Sequence, residues 1–343
     1  MNESRTRWME TGKFGLMVHW LAPGPLPQRG ARVTDLNRAI DAFDLDRFMA
    51  DFRRSQADWL IFTVGQNTGY YASPNATLDQ LAGPGHAPRR DLVLEIATRV
   101  KALGRRFIAY LPCEVCGQSD AIKQSFAWNT REGTGQEEFQ RRYTEFLKEY
   151  ALRLGHKLDG WWFDGAYTWP IFHSSRIDAA LYLAAARAGN PNAAVAFNDG
   201  SFCIGLSGAV VPGQDYLAGE VEVMIRGKVR YGRPADAPLL TPITHTPQPP
   251  PDCRWHALVP IDCFWAHGNL LGPTNHFPSI IKPPAAGEME HPLYSTDDLQ
   301  TLVEDFNAAK GGVTFNVGIF QEGGLGPETV SQLGDLASRL GAS

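Results

Sequence analysis

The chain has 343 residues, 43% of them hydrophobic and 20% charged, a balance that supplies a sizeable core and excludes a disordered chain. A net charge of -5 makes no electrostatic case for nucleic acid or an anionic membrane surface. The five cysteines (Cys113, Cys116, Cys203, Cys253 and Cys263) are odd in number and sparse, which argues against a disulfide scaffold. Cys113 and Cys116 form a lone C-x-x-C, and His245, His256 and His267 repeat no ligand spacing, so neither metal nor cofactor is expected. The opening MNESRTRWMETGK has no apolar stretch of the signal-peptide kind, and no run is long enough to span a membrane. The expectation is a soluble, cytoplasmic protein, with a homo-oligomer left open.

Taken in order, strand-like and helix-like stretches alternate throughout. Residues 13–20 (KFGLMVHW) predict a first strand and 43–57 an amphipathic helix; 58–66 (DWLIFTVGQ) a second strand and 90–103 a helix. A third strand at 106–112 (RFIAYLP) precedes a long charged helix at 136–154, whose apolar residues recur every three or four positions. The fourth strand ends at Asp164, with a helix at 177–188 after it; 193–199 (AAVAFND) is the fifth and 215–221 a weaker sixth. Residues 256–265 (HALVPIDCFW) read as the seventh strand, 297–309 as a helix, 311–320 (GGVTFNVGIF) as the eighth strand, and 327–340 as a last helix opened by proline. Helices after the fifth and sixth strands are poorly marked. Eight strands with interleaved helices predict a (β/α)8 TIM-type barrel forming a single domain over residues 1–343. Helix-to-strand links are short, and the strand-to-helix segments 21–42, 67–89, 113–135 and 266–295 are long. Long loops on one face are how such a barrel builds a site.

The stretch LDGWWFDGA at 158–166 is apolar on both faces of a strand until Asp164, as befits a strand of a parallel sheet covered by helices. Trp162 and Asp164 share one face, and Trp161 and Phe163 the other. A carboxylate at the C-terminal edge of such a strand sits where barrel enzymes place their chemistry. The bland alternative is that Asp164 caps the Asp-Gly turn.

These motifs in register resemble the catalytic barrel of the α-L-fucosidases of glycoside hydrolase family 29. KFGLMVHW resembles that family's first strand KFGIFIHWG, and DGWWFDG at 159–165 its nucleophile strand D-x-x-WFDG. Asn198-Asp199 matches an Asn-Asp pair on the next strand. GGVTFNVG at 311–318 with GGLGPE at 323–328 resembles its final strand and helix. The likeness runs from about residue 11 to 341 in the same order. It departs at the second strand, where the family's His-His-Asp-Gly-Phe becomes Gln66-Asn67-Thr68-Gly69-Tyr70, and at Trp255-His256, which replaces a Trp-Glu pair. The family's C-terminal β-sandwich has no counterpart in the sequence.

The resemblance implies a retaining exo-glycosidase, with one carboxylate attacking the anomeric carbon and a second protonating the leaving oxygen. Asp164 is then the nucleophile. Asp215-Tyr216-Leu217-Ala218-Gly219-Glu220 loosely fits the family's acid/base region, leaving Glu220 and Glu222 as candidates; the alternative for both is a solvated strand edge. His19 is implied as a sugar-hydroxyl ligand, and Gln66 and Asn67 replace the fucose-contacting histidines with carboxamides that can still pair with hydroxyls. Trp20, Tyr70, Trp162, Asn198 and Trp265 complete the expected carbohydrate site, with Tyr71 and Trp169 also near mouth loops. The partner is a small-molecule carbohydrate, fucose or a related sugar. The rival expectation is a carbohydrate-binding barrel without activity, and the feature that separates the two is a second carboxylate opposite Asp164.

Overall fold

The computed structural model describes residues 5–129, 135–167, 172, 177–201, 208–221, 224–225, 227–229, 252–269 and 285–342. In chain order the strands are β1 (Gly15–Val18), β2 (Trp59–Thr63), β3 (Arg106–Pro112), β4 (Gly160–Asp164), β5 (Ala194–Phe197), β6 (Met224–Ile225), β7 (Lys228–Val229), β8 (His256–Pro260) and β9 (Gly312–Val317). Seven of them form one parallel sheet in the order β5-β4-β3-β2-β1-β9-β8, while β6 and β7 make a separate antiparallel pair. The helices are α1 (Arg7–Thr11), α2 (Leu36–Asp41), α3 (Leu45–Ser55), α4 (Ala76–Ala82), α5 (Leu92–Ala102), α6 (Asp120–Ser125), α7 (Glu137–Leu154), α8 (Ala179–Ala186), α9 (Thr296–Ala308) and α10 (Pro327–Ala342). Aspartates at 44, 91 and 178 cap α3, α5 and α8 by accepting a backbone N–H of the first turn. Ser295 and Asp298 form a capping box on α9.

Strand alternation sorts the core into two clusters. Met17, Trp59, Ile61, Ile108, Tyr110, Trp162, Ala194 and Leu258 meet on the inner face of the sheet. Their neighbours Leu16, Val18, Leu60, Phe62, Phe107, Trp161, Phe163 and Phe197 pack outward under the helices. Gly15 is required where Trp59 crosses the inner face, because a Cβ there would lie 1.8 Å from the indole nitrogen. That nitrogen donates to Thr314 Oγ1 at 2.8 Å, so a buried polar atom is satisfied within the core.

The expected sixth strand is not a regular strand. Residues 215–221 run between the sheet's two edges, with isolated parallel bridges Tyr216↔Arg254 and Glu220↔Leu258 on the β8 side. Toward β5 there is a backbone bond from Asp215 N to Val195 O (2.8 Å), and the Asp215 carboxylate takes the place of a second by accepting Val195 N. Gly219 turns the chain with φ +66°, and a Cβ there would lie 1.7 Å from His256 O. Only glycine tolerates that combination, and it breaks the ladder. Among the described residues the main sheet therefore has seven strands where eight were expected, and no helix follows β5 before β8. The short helices α2, α4 and α6, inside three of the long loops, and α1 ahead of the first strand were not expected. None of the described helices is long and apolar enough to cross a membrane.

Candidate active site

The C-terminal ends of β1 to β5 and residue 220 bring a cluster of polar side chains to one edge of the sheet. Asp164 is the last residue of β4, paired in register with Pro112 of β3. Its Oδ1 accepts from Gly165 N (2.8 Å), Tyr167 Oη (2.9 Å) and Asn198 Nδ2 (2.9 Å). Its Oδ2 accepts from Tyr110 Oη at 2.5 Å and Gln66 Nε2 at 3.3 Å. Gln66 Nε2 also donates to Tyr110 Oη. Five neutral donors thus hold one carboxylate and fix both of its oxygens. The bond from Gly165 N is a turn-capping contact, but the four side-chain donors go well beyond what a cap requires.

Asn198, just past β5, joins this carboxylate to a second one. Its Nδ2 donates to Asp164 Oδ1 and, at 2.6 Å, to Glu220 Oε2. The two oxygens are therefore no farther apart than the sum of 2.9 and 2.6 Å. Glu220 is buried, and the irregular segment that carries it is tied to the inner face by Ala218 O. That carbonyl accepts both Trp162 Nε1 (3.2 Å) and His256 Nδ1 (3.0 Å). His256 in turn accepts from Thr314 Oγ1 on Nε2 (2.8 Å). His256 is therefore a satisfied core histidine and no metal ligand, and no metal-binding cluster exists among the described residues.

His19 follows β1 and is buried, with Nδ1 2.8 Å from Asn316 Oδ1. Asn316 Nδ2 donates to Trp265 O at 3.0 Å, which turns its oxygen toward His19 and places the imidazole proton on Nδ1. Burial pushes the His19 pKa down to about 4, against the pull of Asn316 and Asp164. The ring is neutral, and no described residue bonds to Nε2, whose lone pair can accept a hydroxyl. Tyr110 and Trp265 flank the ring at 5.0 and 5.7 Å between centroids. Burial first, then the charge of Asp164, raises the phenols of Tyr110 and Tyr167 well above their ordinary value, so both remain hydrogen-bond donors.

Glu114, two residues past β3, is a third carboxyl at this edge and is buried. It accepts from Asn67 Nδ2 (3.2 Å) and Cys116 N. It also abuts Gly165, where a Cβ would lie 2.5 Å from Glu114 Cγ. Burial is the main cause that pushes its pKa up to about 7, with the Asp164 charge adding to it and the donors from Asn67 and Cys116 opposing.

The structure brings Asp164, Glu220, His19, Gln66, Asn198 and Trp265 together. Trp162 belongs to the floor: it stacks on Tyr110 at 5.3 Å and 13°, and its N–H is already bonded. Asn67 serves Glu114 and packs over Gly117. Tyr70 is 38% exposed and stacks on His86, at the rim and without a contact to the cluster. Trp20 corrects the sequence reading. It is fully buried against Phe43 in the outer core, with its N–H bonded to Gln321 O. Tyr71 likewise packs inside the outer core, against Phe146. Glu222 and Trp169 lie outside the described residues. Tyr110, Glu114, Tyr167 and Asn316 were not anticipated. Tyr110 had a usable signal, being an inward-facing hydroxyl near the end of the third strand.

No protein-family model matches the chain, and no curated protein is detectably similar to it in sequence. Solved structures do share its fold. An endo-fucoidan hydrolase of glycoside hydrolase family 107 superposes with a TM-score of 0.65 at 13% identity, covering 98% of this chain and 93% of that one. The α-L-fucosidase of Lactobacillus casei, in complex with α-L-fucose product, gives 0.56 at 14% identity over 99% of this chain and 100% of that one. α-L-Fucosidase isoenzyme 1 of Paenibacillus thiaminolyticus gives 0.59 at 14% identity, over 99% and 76%. The fold is thus shared with an endo-fucoidan hydrolase as well as with α-L-fucosidases, which is a wider group than the family-29 resemblance implied.

Proposed function

We propose that this protein is a retaining glycoside hydrolase acting on a fucose-configured sugar, with Asp164 as nucleophile and Glu220 as acid/base. The observation that carries the reading is the Asn198 amide, which donates to both carboxylates at once. It bounds their separation near the roughly 5–5.5 Å of retaining enzymes and below the roughly 6.5–9.5 Å of inverting ones. The fold, shared with fucosidases and a fucoidan hydrolase, supports the substrate class. In this reading the sheet and residues 215–221 together make the (β/α)8 barrel whose C-terminal face holds the site.

Asp164 attacks the anomeric carbon while Glu220 gives its proton to the departing oxygen. The resulting glycosyl ester is hydrolysed by water that Glu220 deprotonates. Tyr110, Tyr167, Gln66 and Asn198 hold Asp164 at a fixed angle without neutralising its charge, which remains available to the oxocarbenium-like transition state. His19 Nε2 accepts a sugar hydroxyl, and the Trp265 ring packs on the sugar's C–H face.

A panel of aryl glycosides (α-L-fucoside, β-D-arabinoside, α-D- and β-L-galactosides, α-L-rhamnoside) assayed with wild type and Asp164→Asn tests this. Turnover of a fucose-configured member, lost in the variant, supports the reading. No turnover of any member or of fucoidan oligosaccharides contradicts it and favours a binding barrel. Cleavage within chains is the second reading, favoured by the higher TM-score to the endo-acting hydrolase. Hydrolysis of fucoidan oligosaccharides with little action on the aryl α-L-fucoside selects it.

A further inference from the structure

We propose that Glu114 is a positioning residue for the nucleophile: its carboxylate locks Asn67 and, through Gln66, the donors on Asp164 Oδ2, and its protonation releases that lock. This rests on the assignment of Asp164 as nucleophile. The chain of contacts is continuous. Glu114 Oε1 accepts Asn67 Nδ2 (3.2 Å), Asn67 N donates to Gln66 Oε1 (2.9 Å), and Gln66 Nε2 donates to Asp164 Oδ2 (3.3 Å) and to Tyr110 Oη. Gln118 Nε2 donates to Gln66 O at 3.1 Å and holds the backbone of the same turn.

All partners of Glu114 are donors: the Asn67 amide and the backbone N–H groups of Cys116 and Gly117. A proton on Glu114 would face one of them, so protonation must break a contact. The two backbone donors belong to the loop that carries Glu114 itself, whereas Asn67 lies on an exposed part of the β2 loop; Asn67 is the partner that yields. The titratable groups around Glu114 are Asp164 and Tyr167 after β4, Tyr71 after β2, Cys113 and Cys116 on its own loop, Tyr143 on α7 and Tyr182 on α8, with Lys123 of α6 acting on Cys116. No described residue offers it a cation. Burial and the charge of Asp164 bring its titration to about 7, within the range where enzymes are assayed.

The ionised form is the competent one, so kcat/KM on an activated aryl glycoside should rise as pH climbs through about 7. The step should be about threefold to tenfold, the worth of one hydrogen bond. Glu114→Gln presents a donor to Asn67, mimics the protonated state, and should remain at the low-pH value without that limb. Asn67→Ala should lose the limb while Glu114 still titrates. Carbon-13 NMR of labelled glutamate carboxyls, with Glu114→Gln as the assignment control, follows the proton directly. In Asp164→Asn the Glu114 midpoint should fall toward the ordinary carboxylate range, because a neighbouring charge is gone. A limb that persists in folded Glu114→Gln, or a midpoint unmoved by Asp164→Asn, overturns the proposal. If no glycoside is turned over, the nucleophile assignment falls, and the midpoint in Asp164→Asn alone decides whether Glu114 is coupled to that aspartate.

Discussion

The two ends of the sheet treat their carboxylates in opposite ways. At the N-terminal edge Asp159 accepts from Lys101 Nζ, Arg106 and Phe107 N. Asp215 accepts from Arg187 and Arg5, and Asp58 pairs with Arg105. At the C-terminal edge Asp164 and Glu114 have no cationic partner among the described residues; they are held by phenols, amides and backbone N–H groups. Charge neutralised by a cation contributes to stability, whereas charge held by neutral donors stays available to a reacting centre. Identical chemistry is thus divided between stabilising the fold and the proposed reaction, along the axis that parallel-sheet enzymes use.

The widest separation should come from one aspartate at each end. Asp164→Asn should lower turnover by ~10⁴-fold or more and leave urea unfolding near wild type. Asp159→Ala should do the reverse, losing about 2–4 kcal/mol of stability while folded molecules keep their kcat; the partly exposed cations keep the loss below that of a fully buried pair. Equal loss of stability in both variants would erase the distinction between the ends.

The division was partly legible in the sequence. The Asp164 strand, the inward parity of Trp162 and the place of Asp164 at the C-terminal edge could be read because strand alternation and a parallel sheet leave few options. Trp20 was misplaced although the same alternation, counted from His19, sends it outward. Glu114 was hidden beside two cysteines that draw attention to metal, whereas Tyr110 was legible as an inward-facing hydroxyl and was passed over. Nothing in the local pattern announces that a Cβ at position 219 would lie 1.7 Å from His256 O. That close approach is a tertiary fact, and it replaces a strand with an irregular segment.

Glu220→Ala sharpens the account on the C-terminal side. Loss should reach ~10²–10³-fold on substrates with poor leaving groups and be far smaller on activated aryl glycosides. Azide should restore the activated substrates by replacing the base in the second step. Uniform loss across leaving groups would remove Glu220 from the acid/base role and direct attention to Glu222.

A pH titration of stability probes the neutral histidines, His19 just past β1 and His256 at the start of β8. Burial lowers His19 and His256 from 6.5 to about 4, so the unfolded chain binds more protons than the folded one between those values. Their stabilisation is complete above pH 6.5 and is lost as pH falls toward 4, by about 3 kcal/mol for each. His256→Gln should flatten that slope while lowering stability at pH 7, since Ala218 O and Thr314 Oγ1 each lose the imidazole, one of their two partners. An unchanged slope would contradict a neutral His256. The smallest effect expected is that of Gln66→Ala, which removes one donor from Asp164 Oδ2 and should reduce kcat/KM by no more than about tenfold.

The central claim is that Asp164 and Glu220 stand close enough for covalent catalysis, and the stereochemistry of the first-formed product tests it most directly. Proton NMR recorded during early turnover of a glycoside substrate, before mutarotation, should show the released sugar in the same anomeric configuration as the substrate. Release of the opposite anomer would mean that water attacks directly, and would contradict Asp164 as the nucleophile.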